Sequence, residues 1–220
     1  DLNMYFDAHC HLMEDSVYTA AQQAGVGYFI VNTVHPAEWE RAVQLQHRIS
    51  GISVCAGVHP WYLSDLPSDW ASQMEQFLIQ HPDAMIGEIG LDKTKPFLDQ
   101  QIAVFLRCLE IAERYNRKVH IHCMKAWDEM LECLGQYRSV QPLFHRFNGA
   151  EFVISKLRLQ NAFFSITGGH YADLIPENRL LVETDAPDGL KSPEAIPDLV
   201  AKLHLNPERL EQNFWEFLNG

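Results

Sequence analysis

Asp7, His9 and His11 alternate along MYFDAHCHLM, residues 4–13. In an extended strand every second side chain points to the same side. Two imidazoles and a carboxylate therefore share one face, while Phe6, Ala8, Cys10 and Leu12 take the other. Imidazoles converging at a strand end can grip a divalent metal ion, although buried histidines with ordinary hydrogen bonds give the same rhythm. The same residue types recur at the ends of other β-rich runs: Glu88 in AMIGEIGLD, His122 in KVHIHC, His145 in QPLFH and Asp185 in LLVETD. Four imidazoles and two carboxylates are too many for one tetrahedral ion. They suit two divalent cations bridged by a carboxylate, a pair that can lower the pKa of a shared water and hold a phosphoryl oxygen while another leaves. Thiolate plays no part: Cys10 faces away from this side, and Cys123 follows a histidine without a finger spacing.

These residues meet only if their strands lie side by side in parallel. The chain alternates β-rich runs at 4–12, 27–34, 52–58, 84–91, 118–124, 141–147, 162–168 and 179–185 with amphipathic stretches. In FLDQQIAVFLRCLEIAERYNR, Ile102, Phe105, Leu106 and Leu109 recur at helical spacing. HPAEWERAVQLQHRI places Pro36 in a first helical turn with acids close behind. Eight such units without a linker predict an α/β fold of one domain over 1–220, a (β/α)8 TIM barrel whose strand ends gather at one mouth. A doubly wound sheet is the alternative, but no glycine-rich dinucleotide loop follows the first strand. HYADLIPEN, between the seventh and eighth strands, is too short for a crossover helix and Pro176 interrupts it. The last units are therefore expected to be trimmed, or the sequence incompletely recorded there.

At 220 residues, 47% hydrophobic and 21% charged, the chain suits one ordinary globular core. A net charge of −12 excludes a broad basic grip on nucleic acid, but bound divalent metals would add positive charge that the count omits. Five cysteines without a C-x-x-C pair predict reduced thiols and a cytoplasmic location. No signal peptide and no apolar run near the ~20 residues of a membrane span are present. The tripeptide ahead of Met4 reads as a vector-derived remnant.

In order along the chain, DAHCHL, GVHP, GEIGLD, VHIHC, FHRFNG and ETDAP resemble the motifs of the TatD family of metal-dependent hydrolases, within the amidohydrolase superfamily. The resemblance implies that His9, His11 and Asp185 bind one divalent metal, that Glu88 bridges to a second, and that His122 and His145 hold that second ion. The two ions would be zinc, manganese, magnesium, nickel or iron. It further implies Asp185 as the base for the attacking water, through a free carboxylate oxygen, and metal-dependent cleavage of DNA phosphodiester bonds. His59, in GVHP, becomes a substrate contact. Relatives often read H-S-R-D-A where this chain reads HCMKA, so Met124 stands in the arginine's position and Lys125 is the adjacent point charge. Where relatives read HCFSG, HRFNG adds Arg146 beside a ligand.

Asp7 is expected to fix the tautomer of a ligand imidazole, and Asp92 either to do the same or merely to start a loop; one layer deeper, His120 supports the ligands or packs, and Glu183 needs a hydrogen-bond partner. Trp61, Tyr62 and Trp127 either stack on a base or pack. DNA or a small phosphoester is the expected partner, with no membrane and no obligate protein partner evident. The competing functions are a small-molecule amide, lactone or phosphoester hydrolase on the same metals, and an inactive metal-binding scaffold.

Overall fold

The computed structural model describes residues 4–220 apart from the side chain of Leu159; the tripeptide 1–3 lies outside the described residues. Eight parallel strands pair in sequence order: β1 Tyr5–Cys10, β2 Val26–Asn32, β3 Ile52–Ala56, β4 Met85–Asp92, β5 Val119–Met124, β6 Pro142–Phe144, β7 Phe163–Ile166 and β8 Leu180–Val182. Beyond β8 the ring closes on itself, since Asp185 N donates to His9 O (2.8 Å) and His11 N to Ala186 O (2.9 Å). This is the (β/α)8 architecture that the alternating pattern predicts.

The period of two in β1 does what its residue types require. Phe6 turns outward and stacks on Phe214 with centroids 4.2 Å apart, while the Cys10 Sγ meets Tyr18 Oη at 3.5 Å. Asp7 and His9 turn into the barrel and are fully buried. Between the strands run α1 Asp15–Gln23, α2 Trp39–Arg48, α3 Trp70–Gln80, α4 Leu98–Tyr115, α5 Trp127–Gly135 and α6 Glu151–Leu157, and α7 Ile196–Lys202 and α8 Pro207–Asn219 follow β8. Leu210, Phe214 and Phe217 form the buried stripe of α8, each contributing about 1.5–3 kcal/mol over exposure.

The short connection between β7 and β8 is met by 3-10 turns at Gly169–Leu174 and Glu177–Arg179 instead of a helix. Asn213 of α8 pins it, donating to the Glu177 (2.7 Å) and Leu180 (2.9 Å) carbonyls. All eight strands are nonetheless present; only a helix is trimmed.

Two glycines set the position of Glu88. A Cβ on Gly57 would lie 1.8 Å from Thr33 O and 2.4 Å from Glu88 N, and one on Gly87 would lie 2.5 Å from both Asn32 Oδ1 and His120 Cβ. Their absent side chains let β4 press close enough for Glu88 N to donate to Thr33 O at 2.9 Å.

Candidate metal centre

Glu88 is buried at the centre of the barrel mouth, and its two oxygens face different neighbours. Oε2 lies 3.3 Å from His9 Nε2 and 3.0 Å from His11 Nε2. Oε1 lies 2.7 Å from His145 Nε2, 3.2 Å from His122 Nδ1 and 3.0 Å from His59 Nε2. Asp185 joins the first set, with Oδ1 3.4 Å from His11 Nε2 and 3.7 Å from His9 Nε2. All six residues singled out as ligands, carried on five strands or their ends, thus converge around one carboxylate. His145 and Asp185 lie just beyond the three-residue strands β6 and β8 instead of within them. Asp185 takes a left-handed backbone, φ 50°, which aspartate tolerates better than most residues.

Hydrogen bonds at the far side of the His11 and His122 rings fix which nitrogen faces the centre. His11 Nδ1 donates to Asn32 O at 3.0 Å, which turns the Nε2 lone pair of the neutral ring toward two carboxylates and toward His9 Nε2, 3.1 Å away. His122 Nε2 donates to Asp92 Oδ2 at 3.1 Å, leaving the Nδ1 lone pair toward Glu88 and toward His145 Nε2 at 3.4 Å. Lone pairs aimed at one another and at carboxylates repel unless a proton or a cation lies between them. A metal ion bonded at about 2.0–2.2 Å would set neighbouring donors roughly 3–3.5 Å apart, the spacing seen here. The donor set therefore fits divalent metal. His59 differs. Its Nδ1 accepts from Trp61 N at 3.1 Å, so the neutral ring carries its proton on Nε2 and donates to Glu88 Oε1. It braces the Glu88 carboxylate instead of presenting a lone pair.

The charge pattern agrees. Burial opposes ionisation of Glu88, but His145, His59, His11 and His122 hold its carboxyl well below the ordinary range. Burial likewise opposes the charged form of Asp185, yet His11, His145 and His9 bring it down to about 2. Burial pushes the His11 pKa down, and hydrogen bonds to Asp185 and Glu88 outweigh it, raising the value to about 10. His145 is raised well above the usual histidine value against burial, by Glu88 and Glu183. Without a cation, His11 is protonated in the fold, a stabilisation fully present below its ordinary 6.5 and lost as pH rises through about 10. Metal must displace these protons. Calorimetric titration of zinc into chelator-treated protein at pH 7.5, repeated in buffers of different ionisation enthalpy, is expected to release roughly two protons per chain, from His11 and His145. Release of none would mean that zinc binds elsewhere.

One expectation about the support is corrected. Asp7 does not touch a ligand imidazole: it accepts from His9 N (3.2 Å), Thr184 N (2.9 Å) and the Thr184 hydroxyl. It ties β1 to the chain after β8, because the strand ends lie nearer than the ring edges, and burial raises its pKa to about 7. Glu183 accepts from Arg146 N at 2.6 Å and from the Ser165 hydroxyl, with His145 Nδ1 3.4 Å away. His120 is fully buried behind the site, stacked on His9 with centroids 5.8 Å apart.

The centre opens into a cavity of about 560 Å³ walled by Trp61, Tyr62, Phe147 and Tyr171, within the usual range for a small-ligand site. His59 and Arg146 line it. Lys125 does not: Met124 keeps the inward position two residues after His122, and Lys125, with φ 53°, is exposed outside. The expectation of a free oxygen on Asp185 also changes, because Oδ2 accepts from Arg146 Nη1 at 3.1 Å. Nothing in the motif FHRFNG signalled that bond, which joins residues 39 apart. The contact of His59 with Glu88 was missed in the same way, with only the His59–Trp61 spacing of two as a hint, whereas Asp92, expected either to fix a ligand tautomer or to start a loop, accepts from His122 Nε2. Among the described residues, no helix is long and apolar enough to cross a membrane.

A family model described as TatD related DNase matches residues 6–212. The 3'-5' ssDNA/RNA exonuclease TatD of Erwinia billingiae is 30% identical over 190 residues, 79% of this chain and 72% of that one. The human deoxyribonuclease TATDN3 is 27% identical over 213 residues, 82% of this chain and 77% of that one. The crystal structure of YJJV, a TatD homolog from Escherichia coli K12, superposes with a TM-score of 0.89 at 23% identity, covering 100% of both chains; at that identity the likeness bears on the fold.

Proposed function

Because this chain belongs to the TatD-related DNase family, we propose that it is a two-metal hydrolase of phosphodiester bonds in single-stranded DNA. One observation carries the reading: the division of Glu88 between two donor sets, Oε2 toward His9 and His11 and Oε1 toward His122 and His145. His9, His11 and Asp185 would hold one ion and His122 and His145 the other, with Glu88 between them. Zinc, manganese, nickel or iron suits the imidazole-rich set better than magnesium. Bound there, divalent ions would acidify a water and neutralise phosphoryl oxygens. Among the described residues, the charged side chains lining the cavity are the acids Glu38, Glu88, Asp185 and Asp188 and one fixed cation, Arg146. An anionic substrate therefore needs the metal charge to enter.

Asp185, ionised at neutral pH, accepts the proton of the attacking water as the phosphorus–oxygen bond breaks. Its Oδ1 already faces the metal donors and its Oδ2 is held by Arg146. Asp92 keeps His122 in the ligating tautomer, and His59 holds Glu88 in place. The Arg146 guanidinium, half exposed, can turn from Asp185 to a phosphate oxygen. Arg146→Ala is expected to raise KM for a phosphodiester roughly tenfold, the size of one charge-assisted hydrogen bond at a half-exposed site. A change in kcat with KM unaltered would make Arg146 a partner of Asp185 only. The five buried free cysteines support a reducing, cytoplasmic setting.

Met124 on the cavity wall where relatives carry arginine favours a second reading, a small-molecule ester or cyclic-amide hydrolase. Chelator-treated and metal-restored protein should be compared on a single-stranded oligonucleotide, on bis(p-nitrophenyl) phosphate and on a panel of lactones and cyclic amides. Metal-dependent cleavage of both phosphodiesters is expected. Turnover of a lactone or amide without phosphodiester cleavage would replace the DNase reading with the second one.

A further inference from the structure

Beyond the cavity, the loops after β3 and β4 carry large side chains that packing does not explain. Trp61 and Tyr62 line the cavity and yet are 46% and 44% exposed. Trp61 is nonetheless fixed, its indole Nε1 donating to Asp92 Oδ2 at 2.6 Å. The Lys95 Nζ lies 4.7 Å from the centroid of the same ring. Phe97, two residues further, is 74% exposed and sits at φ 62°, a left-handed backbone that costs energy for a bulky residue. The whole run from Lys93 to Phe97 is exposed. Within it Lys93 is paired with Glu129, whereas the Lys95 ammonium is directed at the indole.

We infer that Trp61, Lys95 and Phe97 form an external rail for the part of a single-stranded nucleic acid that stays outside the cavity. The indole and the phenyl ring receive bases by stacking, and the ammonium takes a phosphate between them. A rigid indole shared between rail and cavity makes the two continuous, so a strand with one end at the metal centre must leave past it. Base stacking on aromatic side chains tolerates any sequence, and an exposed cation–π contact is weak enough to exchange for a phosphate. Lys95 and Phe97 are at most about 7 Å apart along the backbone, within reach of one phosphate and its neighbouring base. Locally the rail offers charge opposite to the acidic cavity and to the net −12 of the chain. The inference rests on the phosphodiesterase reading above.

Phe97→Asn removes the ring and suits the left-handed backbone, so it tests stacking without adding strain; Lys95→Ala removes the cation. Neither residue belongs to the metal centre. Hydrolysis of bis(p-nitrophenyl) phosphate, the dinucleotide dT2 and the decamer dT10 should be measured for the double variant. Binding of fluorescein-labelled dT10 should be followed by anisotropy in metal-loaded protein carrying Asp185→Asn. The double variant is expected to lose about tenfold in kcat/KM and in affinity for dT10, with dT2 within twofold and bis(p-nitrophenyl) phosphate unchanged. Equal behaviour of variant and parent on dT10 overturns the rail, as does parent protein that fails to bind dT10. Sedimentation with anionic vesicles that depends on Phe97, with dT10 binding intact, would make the patch a membrane contact instead. Failure of the hydrolase reading looks different: the parent would cleave no phosphodiester in any metal.

Discussion

Glu88→Gln is expected to lower kcat for phosphodiester cleavage by ~1000-fold or more, about 4 kcal/mol in the transition state. Glutamine keeps the volume but loses the charge, and its amide nitrogen cannot ligate. One of the two donor sets must then lack its carboxylate, since Oε1 and Oε2 serve His122 and His145 on one side and His9 and His11 on the other. Elemental analysis should give about one bound metal per chain where the parent gives two. The same change removes the carboxylate that meets His59, His122 and His145 together, and losing one partner of buried charges typically costs about 3–5 kcal/mol. A denaturant melt of the chelator-treated protein therefore accompanies the assay. A folded variant with two metals and parental kcat would end the bridging role.

Asp185→Asn should leave the fold and most of the metal affinity in place while kcat falls by at least ~100-fold, the lower range for loss of a positioned base. The asparagine oxygen can still face His11 and a cation. Its amide nitrogen, placed against the Arg146 guanidinium that now donates to Oδ2, can accept neither a proton nor that hydrogen bond, and sets donor against donor. Pre-steady-state measurements locate the loss in the chemical step, with KM changed less than fivefold. Equal rates in parent and variant would point to a contaminating nuclease, and a collapse of metal content would make Asp185 chiefly a ligand.

The two variants separate charge from proton transfer. Glu88 meets the candidate ligand histidines and His59 at the centre, whereas Asp185 stands between those donors and the open cavity, with Arg146 on its outer oxygen. That guanidinium has two consequences. It helps hold the carboxylate ionised and turned inward, and it must yield or share Oδ2 when an anion arrives.

Much of this was legible in the residues alone. Alternation in MYFDAHCHLM put Asp7 and His9 inside the barrel and Phe6 and Cys10 outside, because strand geometry permits only two faces. The recurrence of histidine and carboxylate at the ends of five β-rich runs singled out the candidate ligand set, because parallel strands in sequence order bring their C-terminal ends to one rim. The short link at residues 169–179 was visible as a missing helix, though not that Asn213, from α8, would pin it. What the tertiary structure alone decided was the direction of each hydrogen bond. His59, read as a substrate contact, lines the cavity and also braces Glu88, Asp7 clamps Thr184 and not a ring, Arg146 occupies an oxygen of Asp185, and Lys125 does not line the cavity. Periodicity assigns a side chain to a face of its own strand. Its partner, its tautomer and the turn of its loop depend on groups tens of residues away, set by how closely backbones such as Gly57 and Gly87 allow neighbouring strands to approach.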